Sequence, residues 1–466
     1  MITKIEIDGF KSFKDFEMEF TPLTVIAGAN ASGKSNLFDA LQLLSRMAEV
    51  DLRTAFGEQR GDANELFLSY GEEKSVTEMS FAVEMLVDKK VKDNWGGEAI
   101  LKYTRLRYEI KILRRKSSKG FEELFITHER LVNLKHDDDR WIKIIPKNMR
   151  DFWRPKVITG KRGVPYIETK VQNNLPAFVI PQDGKGGKRI LPAVEAKQSV
   201  ISGITTIDFR HIFAVREEMR TWKFLQLNPE DLREPTRQVP NTSDIISHSG
   251  KNLAAALYRI SQEDEYVLMD ISRKMNGFLP EYTHVNVIKD VANKQFIIKV
   301  KGEDGREFTS RVLSEGTLRL LALCVLLYDY EHKNVLCYEE PENGIHPYRI
   351  KSMVNLLKDL CVDFLDTDFP ARQVIVNTHS PVVVGETVAL MNNPNVSVWF
   401  AWTNTLVTSV EDFRYKFQIT KIVPVKKEEQ LSIPFYEHER KMSLAEVRKY
   451  LSAGDFSSMQ NSLTDK

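Results

Sequence analysis

The stretch that decides the fold of this chain is residues 28–35, which read GANASGKS. Residues 23–27, directly before it, form an apolar run that predicts a buried strand. After it, Leu37, Leu41 and Leu44 recur at helical spacing. A strand, a glycine-rich loop and a helix in this order predict a phosphate-binding loop, or P-loop.

Each polar position of the loop has a chemical reason. The glycines let backbone N–H groups curl around a phosphate without a Cβ clash, and Lys34 neutralises the β- and γ-phosphate oxygens. The Ser35 hydroxyl is the expected protein ligand of Mg²⁺. The residues predicted to bind ATP are Gly28, Asn30, Gly33, Lys34, Ser35 and Asn36.

Composition narrows the class of protein. The chain has 466 residues, 42% of them hydrophobic and 28% charged, so we expect a folded protein with two or three domains. The net charge of +1 gives no global electrostatic case for nucleic acid or membrane binding. The three cysteines are scattered, which favours buried thiols over a disulfide, and no Cys-x-x-Cys pair exists for a zinc hook.

The sequence predicts a cytoplasmic location. Its start, MITKIEIDGF, is too polar for a signal peptide. The longest apolar stretch, 318–328, is interrupted by Arg319 and is too short to span a bilayer.

The middle of the chain changes to a period of two, typical of strands. Leu106, Tyr108, Ile110 and Ile112 alternate with charged residues. Further predictions are surface turns at 114–120 and 183–189, helical spacing over 212–233 and 251–280 without a heptad repeat, and a strand around 296–300.

Paired carboxylates end an apolar run at 335–338. Glu339 and Glu340 would repel each other and lose hydration on a buried strand, so structure alone seldom favours them. Opposite a magnesium triphosphate they have clear roles: Glu339 holds the hydrated metal ion, and Glu340 orients and polarises the attacking water.

Two further segments carry candidate residues. The apolar run at 372–378 leads to His379, which is placed in the order expected of a γ-phosphate sensor. Ser314-Glu315-Gly316-Thr317 precedes the helical run 318–327 and predicts an anion-binding helix N-terminus, with ordinary capping by Ser314 as the alternative.

Together these segments resemble the ABC-class ATPase heads of SMC and RecF-like proteins. IDGFKSF with VIAGANASGKSNLFDAL resembles the N-terminal lobe, and LSEGTLRLLAL the signature motif. VLCYEEPENGIHP resembles the Walker B motif with its D-loop, and VIVNTHSP the histidine switch. The resemblance covers residues 1–45 and 296–385. EEPENGIHP, NTHSP and the middle segment HIFAVREEMRTWKFLQLNPEDLREP are similar to the OLD family and to standalone ATPases of bacterial anti-phage defence operons.

The resemblance implies that ATP is sandwiched between two heads. Ser314 and Gly316 would then contact the nucleotide of the neighbouring subunit, and Asn343 and His346 would lie in the D-loop at that interface. It therefore implies ATP and Mg²⁺ as ligands, a homodimer or higher homo-oligomer, and poor hydrolysis by a single monomer.

Some positions depart from the family pattern. Glu339 stands where the family usually has Asp, which moves the carboxylate by roughly one bond length and lowers the expected metal affinity or rate. Residues 386–466 lack the Glu-Gly and Asp-x-Asp pattern of a TOPRIM nuclease, and no Arg-x4-His ribonuclease motif occurs. Gln59 is the candidate for the Q-loop glutamine.

The predicted fold class is α/β, a P-loop NTPase with an ABC-type head and an inserted β-rich and helical lobe. The predicted domains are the head at 1–75 and 286–405, the insertion at 76–285 and an extension at 406–466. We expect an ATP-hydrolysing switch that controls a separate effector, a nuclease or toxin, in anti-phage defence. The alternative is a RecF-like DNA-binding clamp in repair. The SEGT signature and the large insertion argue against a transporter subunit.

Overall fold

The structure is a computed structural model. It describes residues 1–426 except 72–73, 156–163, 184–186, 240–242, 332 and 411–412, and it adds residues 442–443. Most of the predicted extension at 406–466 therefore lies outside the described residues, as does the centre of the predicted turn at 183–189.

The described residues form twenty-one strands and ten α-helices. The strands are β1 Ile2–Asp8, β2 Phe16–Glu19, β3 Leu23–Gly28, β4 Glu78–Leu86, β5 Lys90–Lys92, β6 Glu98–Ile100, β7 Arg105–Lys116, β8 Glu122–Asn133, β9 Glu168–Gln172, β10 Leu175–Pro181, β11 Lys188–Pro192, β12 Lys223–Leu225, β13 Thr236–Arg237, β14 Tyr282–Asp290, β15 Gln295–Gly302, β16 Glu307–Thr309, β17 Val335–Glu339, β18 Gln373–Thr378, β19 Val396–Val410, β20 Phe413–Lys426 and β21 Met442–Ser443. The helices are α1 Lys34–Met47, α2 Leu52–Gly57, α3 Arg150–Trp153, α4 Arg210–Arg220, α5 Pro229–Arg233, α6 Leu253–Glu263, α7 Val267–Phe278, α8 Glu315–Tyr328, α9 Ile350–Asp359 and α10 Pro381–Ala389.

The chain divides into two compact units. Unit 1 contains residues 1–21, 28–222 and 400–423. Unit 2 contains residues 22–27, 223–399 and, of the described residues, 424–426 and 442–443. Because β19 and β20 each contribute residues to both units, the chain passes between the units within strands as well as in loops.

Unit 1 is built around an antiparallel sheet in the order β2-β1-β4-β7-β8. The predicted alternation is confirmed, because Leu106, Tyr108, Ile110 and Ile112 are all buried on one face of β7. The P-loop helix α1 and the helix α4 also belong to this unit, together with the small sheet β11-β10-β9.

Unit 2 contains the parallel part of a seven-stranded sheet, in the order β12-β17-β18-β3. The helix α9 joins β17 to the parallel strand β18, as a crossover connection requires, and α10 follows β18. A second, antiparallel sheet is formed by β13, β15 and β14, with β16 on β15. This arrangement confirms the predicted α/β class.

Three local predictions were only partly right. The predicted turn at 114–120 is confined to 117–120, where the Gly120 N–H donates to the Ser117 carbonyl oxygen. Arg114, Arg115 and Lys116 lie in β7 rather than in a turn, because they pair with Leu124, Glu123 and Glu122 of β8. Lys188 and Arg189 likewise begin β11 by pairing with β10. The helical spacing over 212–233 is broken by β12, which adds a parallel edge strand beside β17.

All three cysteines are buried, and none forms a disulfide. No helix among the described residues combines the length and the apolar character needed to cross a membrane.

Candidate functional site

The P-loop of unit 1 encloses the amine of its own lysine. Lys34 begins α1 and is 6% exposed. Its Nζ donates hydrogen bonds to the carbonyl oxygens of Gly28 at 2.8 Å and Ala29 at 2.7 Å. The ammonium group therefore lies inside the curve of the loop, at the N-terminus of a helix, where both the charge and the free N–H groups favour an anion.

Neighbouring atoms leave no room for a side chain at Gly28 or Gly33. Gly33 has a φ of 88°, and a Cβ there would lie 1.8 Å from Thr420 Oγ1. A Cβ on Gly28 would lie 2.5 Å from the carbonyl oxygen of Ala401. The C-terminal strands β19 and β20 of the same unit thus pack directly against the loop.

The hydroxyl groups of Ser12 and Thr420 hold the first turn of α1 in place next to the P-loop. Ser12 Oγ lies 2.6 Å from Thr420 Oγ1 and accepts a hydrogen bond from Asn36 Nδ2 at 2.7 Å. Asn36 therefore binds the neighbouring loop in this structure. The direct ATP contacts of Asn30, Ser35 and Asn36 stay predictions; Asn30 is exposed at the tip of the loop and Ser35 is half-buried.

In unit 2, Glu340 is held by two side chains. Its Oε1 lies 3.1 Å from His379 Nδ1, and its Oε2 accepts from Asn343 Nδ2 at 2.8 Å. Glu340 has a left-handed φ of 46°, and its N–H donates to the carbonyl oxygen of Asn377. A non-glycine residue in this conformation is uncommon and clusters at functional sites. The structure thus brings Glu340, Asn343 and His379 together.

These residues lie at one edge of the parallel sheet. Glu339 of β17 pairs with Asn377 of β18, and Thr378 pairs with Ala27 of β3. The three strands therefore end at the same edge, and β3 ends where the P-loop begins. The P-loop and the carboxylates belong to different units, so a shared site for Lys34 and Glu340 stays a prediction, as does the metal-binding role of Glu339.

The signature segment starts α8 and lies against the D-loop of the same chain. Ser314 caps the helix, since its Oγ accepts from the Thr317 N–H at 3.2 Å. A Cβ on Gly316 would lie 2.4 Å from the carbonyl oxygen of Gly344. The contact of Ser314 and Gly316 with a neighbouring subunit's nucleotide stays a prediction.

Two other candidates have local roles. His346 is exposed and caps a short turn, with Nδ1 accepting from the Tyr348 N–H at 3.3 Å. Gln59 is buried, and its amide donates to the carbonyl oxygen of Ala55 at 3.4 Å. Their interface and Q-loop roles stay predictions.

Sequence reasoning missed four residues that support these groups: Ser12, Glu342, Thr378 and Thr420. Glu342 and Thr378 stand inside the motifs EEPENG and NTHS, so their spacing could have marked them. Thr420 has no comparable signal, because only the folded chain brings it to the P-loop.

The comparison with protein families adds an independent observation. The model of a family described as "AAA domain, putative AbiEii toxin, Type IV TA system" matches residues 23–385, which include every predicted site residue from Gly28 to His379. This chain belongs to that AAA-domain family. The predicted P-loop ATPase class is thereby confirmed at the level of the family.

Three solved structures similar to this AAA-domain chain are SMC heads. One is an Smc head bound to the C-winged helix domain of ScpA, 13% identical, with 90% of this chain and 98% of that chain covered and a TM-score of 0.46. A second is the SMC head domain from Thermotoga maritima, 14% identical, with coverages of 91% and 99% and a TM-score of 0.36. A third, derived from Pyrococcus yayanosii, is an Smc head domain with a coiled coil and joint, 11% identical, with coverages of 91% and 97% and a TM-score of 0.41. Nothing about function follows from these low scores. The comparison with curated proteins found no match.

Proposed function

We propose that this protein is an ATPase that hydrolyses ATP to ADP and phosphate and acts as a switch. The observation that carries the proposal is the fixed geometry around Glu340, whose two carboxylate oxygens are bound by different side chains, His379 and Asn343. A carboxylate held in this way can orient a water molecule and accept its proton.

The chain's own residues divide the work. The Lys34 amine and the N-terminal N–H groups of α1 bind the phosphates, which replace the carbonyl oxygens of Gly28 and Ala29 as the partners of the amine. Glu340 activates the water, and His379 fixes the carboxylate and reports the γ-phosphate.

The oxygen donors fit magnesium. Mg²⁺ is usually bound by one or two protein oxygens beside phosphate oxygens, and Ser35 with Glu339 would supply them. When bound, the ion offsets the negative charge of the phosphates. No cluster of three or more His, Cys, Asp or Glu side chains suited to a metal ion occurs in the described part of the chain, and none is needed for a site that phosphate completes.

The switch works as a dimer in this proposal. ATP bound at Lys34 of one subunit meets Ser314 and Gly316 of the other, and Asn343 and His346 lie near the interface. Higher oligomers can assemble from such dimers. A cytoplasmic location is part of the same proposal.

The output of the switch is a separate effector, a nuclease or toxin, in anti-phage defence. The family description supports this direction because it names a putative toxin and a toxin–antitoxin system. Copurification of the neighbouring gene's product, with ATP and without it, tests this step.

A RecF-like DNA clamp remains the alternative function. It would need exposed basic residues, but Arg114 and Arg115 of β7 lie 4.8 Å from the ring centres of Phe67 and Phe125. Their guanidinium groups are therefore already engaged with aromatic rings. Salt-sensitive, ATP-dependent binding of duplex DNA would favour the clamp.

Glu340→Gln tests the ATPase. It keeps the size of the side chain and removes the base, so we expect ATP turnover to fall by about a hundredfold or more while ATP still binds. Phosphate release and binding of a fluorescent ATP analogue measure the two steps. Glu303→Gln, at an exposed position of unit 2, is the matched control. Unchanged turnover in Glu340→Gln would exclude the proposed base.

A further inference from the structure

Glu342 is a buried carboxylate two residues beyond Glu340. It is 8% exposed, and its Oε1 accepts a hydrogen bond from the hydroxyl of Thr378. The same hydroxyl accepts from the N–H of Ser380 at 3.0 Å. Thr378, which precedes His379, is therefore bound to the acid directly, and Ser380, which follows it, is bound to the Thr378 hydroxyl. These bonds fix the strand end that carries the histidine.

The environment of Glu342 is not one that packing alone would favour. Its second oxygen, Oε2, is buried and has no hydrogen-bond donor among the described residues. A buried carboxylate with an unsatisfied oxygen costs free energy, and such groups in native structures call for an explanation. A role in the neighbouring site around Glu340 is one such explanation.

A second buried charged group of the same unit is Arg319. Arg319, in the second turn of α8, is 7% exposed and donates to Glu315 Oε1 at 2.7 Å. The hydroxyl of Tyr338, on the strand that leads to Glu339, is buried as well. Burial raises its pKa, the cation of Arg319 lowers it, and the charge of Glu342 raises it. Tyr338 thus lies within electrostatic reach of both charged residues.

Backbone packing also connects the turn after Glu342 to the start of α8. A Cβ on Gly344 would lie 2.7 Å from Glu315 Cγ, so the turn after Glu342 packs tightly on the first turn of α8. Within that turn, Asn343 N–H donates to the Glu340 carbonyl and Ile345 N–H to the Glu342 carbonyl. The start of α8, Glu340 and His379 therefore share one set of contacts.

We propose that Glu342 is a positioning residue: through Thr378 it sets His379 against Glu340 and links both to the start of the signature helix α8. The proposal rests on the proposed ATPase function. Glu342 touches no reacting atom, and it acts by holding the histidine and the base in the geometry that hydrolysis needs.

Paired substitutions at Thr378 give the sharpest test. Thr378→Val removes the hydroxyl at nearly constant volume, whereas Thr378→Ser keeps it. We expect Thr378→Val and Glu342→Gln each to lower kcat about ten- to hundredfold, as loss of supporting hydrogen bonds does at other sites, with KM for ATP little changed. Thr378→Ser should retain most of the activity. The double variant Glu342→Gln/Thr378→Val should lose little more than either single variant, because Thr378→Val removes the hydrogen bond that Glu342→Gln weakens by exchanging a charged acceptor for a neutral amide oxygen.

The outcomes are separable. Native kcat in a folded Thr378→Val would overturn the proposal, as would a fall of equal size in Thr378→Ser. If Glu342→Gln does not fold by circular dichroism, the Thr378 pair decides alone. If Glu340→Gln also turns over normally, the ATPase proposal itself fails; if only Glu340→Gln is inactive, the positioning role is wrong and the ATPase stands.

Discussion

Gly33 meets two separate demands at the N-terminus of α1. Its positive φ is strained for any residue with a side chain, and the hydroxyl of Thr420 occupies the place of its missing Cβ. Sequence motifs explain such a glycine by the approach of phosphate. The structure adds a neighbour from β20, so the loop is shaped from within the protein even before a ligand is considered.

This double demand predicts the effect of Gly33→Ala. The left-handed φ and the clash with Thr420 together should lower the free energy of unfolding by about 2 to 4 kcal/mol and weaken ATP-analogue binding. Gly57→Ala is the matched control, because a Cβ there meets nothing within 4 Å. Thermal unfolding and analogue titration measure both effects. Equal melting temperatures for the two variants would contradict both the backbone strain and the clash with Thr420.

At the scale of the elements, β8 contains a buried acid, Glu129, that binds a neighbouring segment of the chain. This stabilising contact depends on pH. Glu129 accepts hydrogen bonds from the Tyr108 hydroxyl at 3.0 Å and from the Val200 N–H at 2.7 Å. Complete burial outweighs these bonds and raises the pKa of Glu129 to about 7. The short turn that follows Val200 is thereby tied to the sheet of unit 1.

The raised pKa predicts a pH-dependent stability. Because the folded pKa of Glu129 is above its ordinary value of 4.5, the stabilisation is fully present below about pH 4.5 and is lost as pH rises through about 7. The difference in unfolding free energy between the native protein and Glu129→Gln should shrink by at most about 3 kcal/mol across that window. Urea unfolding between pH 5 and 8 measures it. Glu122→Gln, exposed on the same strand, should show no such change; parallel curves for Glu129→Gln would refute the assignment.

The elements also show what sequence can and cannot predict. Residue type alone predicts the alternation in β7, because a strand with one buried face alternates apolar and polar residues. It also predicts β3, β17 and β18, because strands with two buried faces are apolar throughout. The strand character of Arg114 and Arg115 could not be predicted, since it depends on pairing with β8 and on the rings of Phe67 and Phe125. The left-handed conformation of Glu340 and the contact of Thr420 with the P-loop are likewise consequences of tertiary structure.

At the scale of the whole molecule, the candidate residues are distributed over two units. The P-loop lies in unit 1, and Glu340, His379 and the signature helix lie in unit 2. The proposed trans arrangement adds a second level, since Ser314 would then serve a different subunit.

Mixing two inactive variants tests the trans arrangement. Lys34→Ala removes the phosphate-binding amine, and Ser314→Asp keeps a good helix cap while placing a negative charge against phosphate. Each variant alone should be inactive. An equal mixture should recover up to about a quarter of native turnover, because half of the random dimers are mixed and each has one intact site. No recovery in a mixture shown to form mixed dimers would contradict the trans role of Ser314.

The burial of the three cysteines has a practical consequence for labelling the protein. Burial raises the pKa of the thiols of Cys324 and Cys361 to about 12, and that of Cys337 also lies well above its ordinary range. Since the thiolate is the reactive form, maleimide dyes have no ready target on the folded native chain. A cysteine introduced at the exposed Trp95 in unit 1 or Tyr348 in unit 2 would therefore label selectively. Fluorescence energy transfer between two such positions can then test whether their separation changes when ATP is added, without removal of any native thiol.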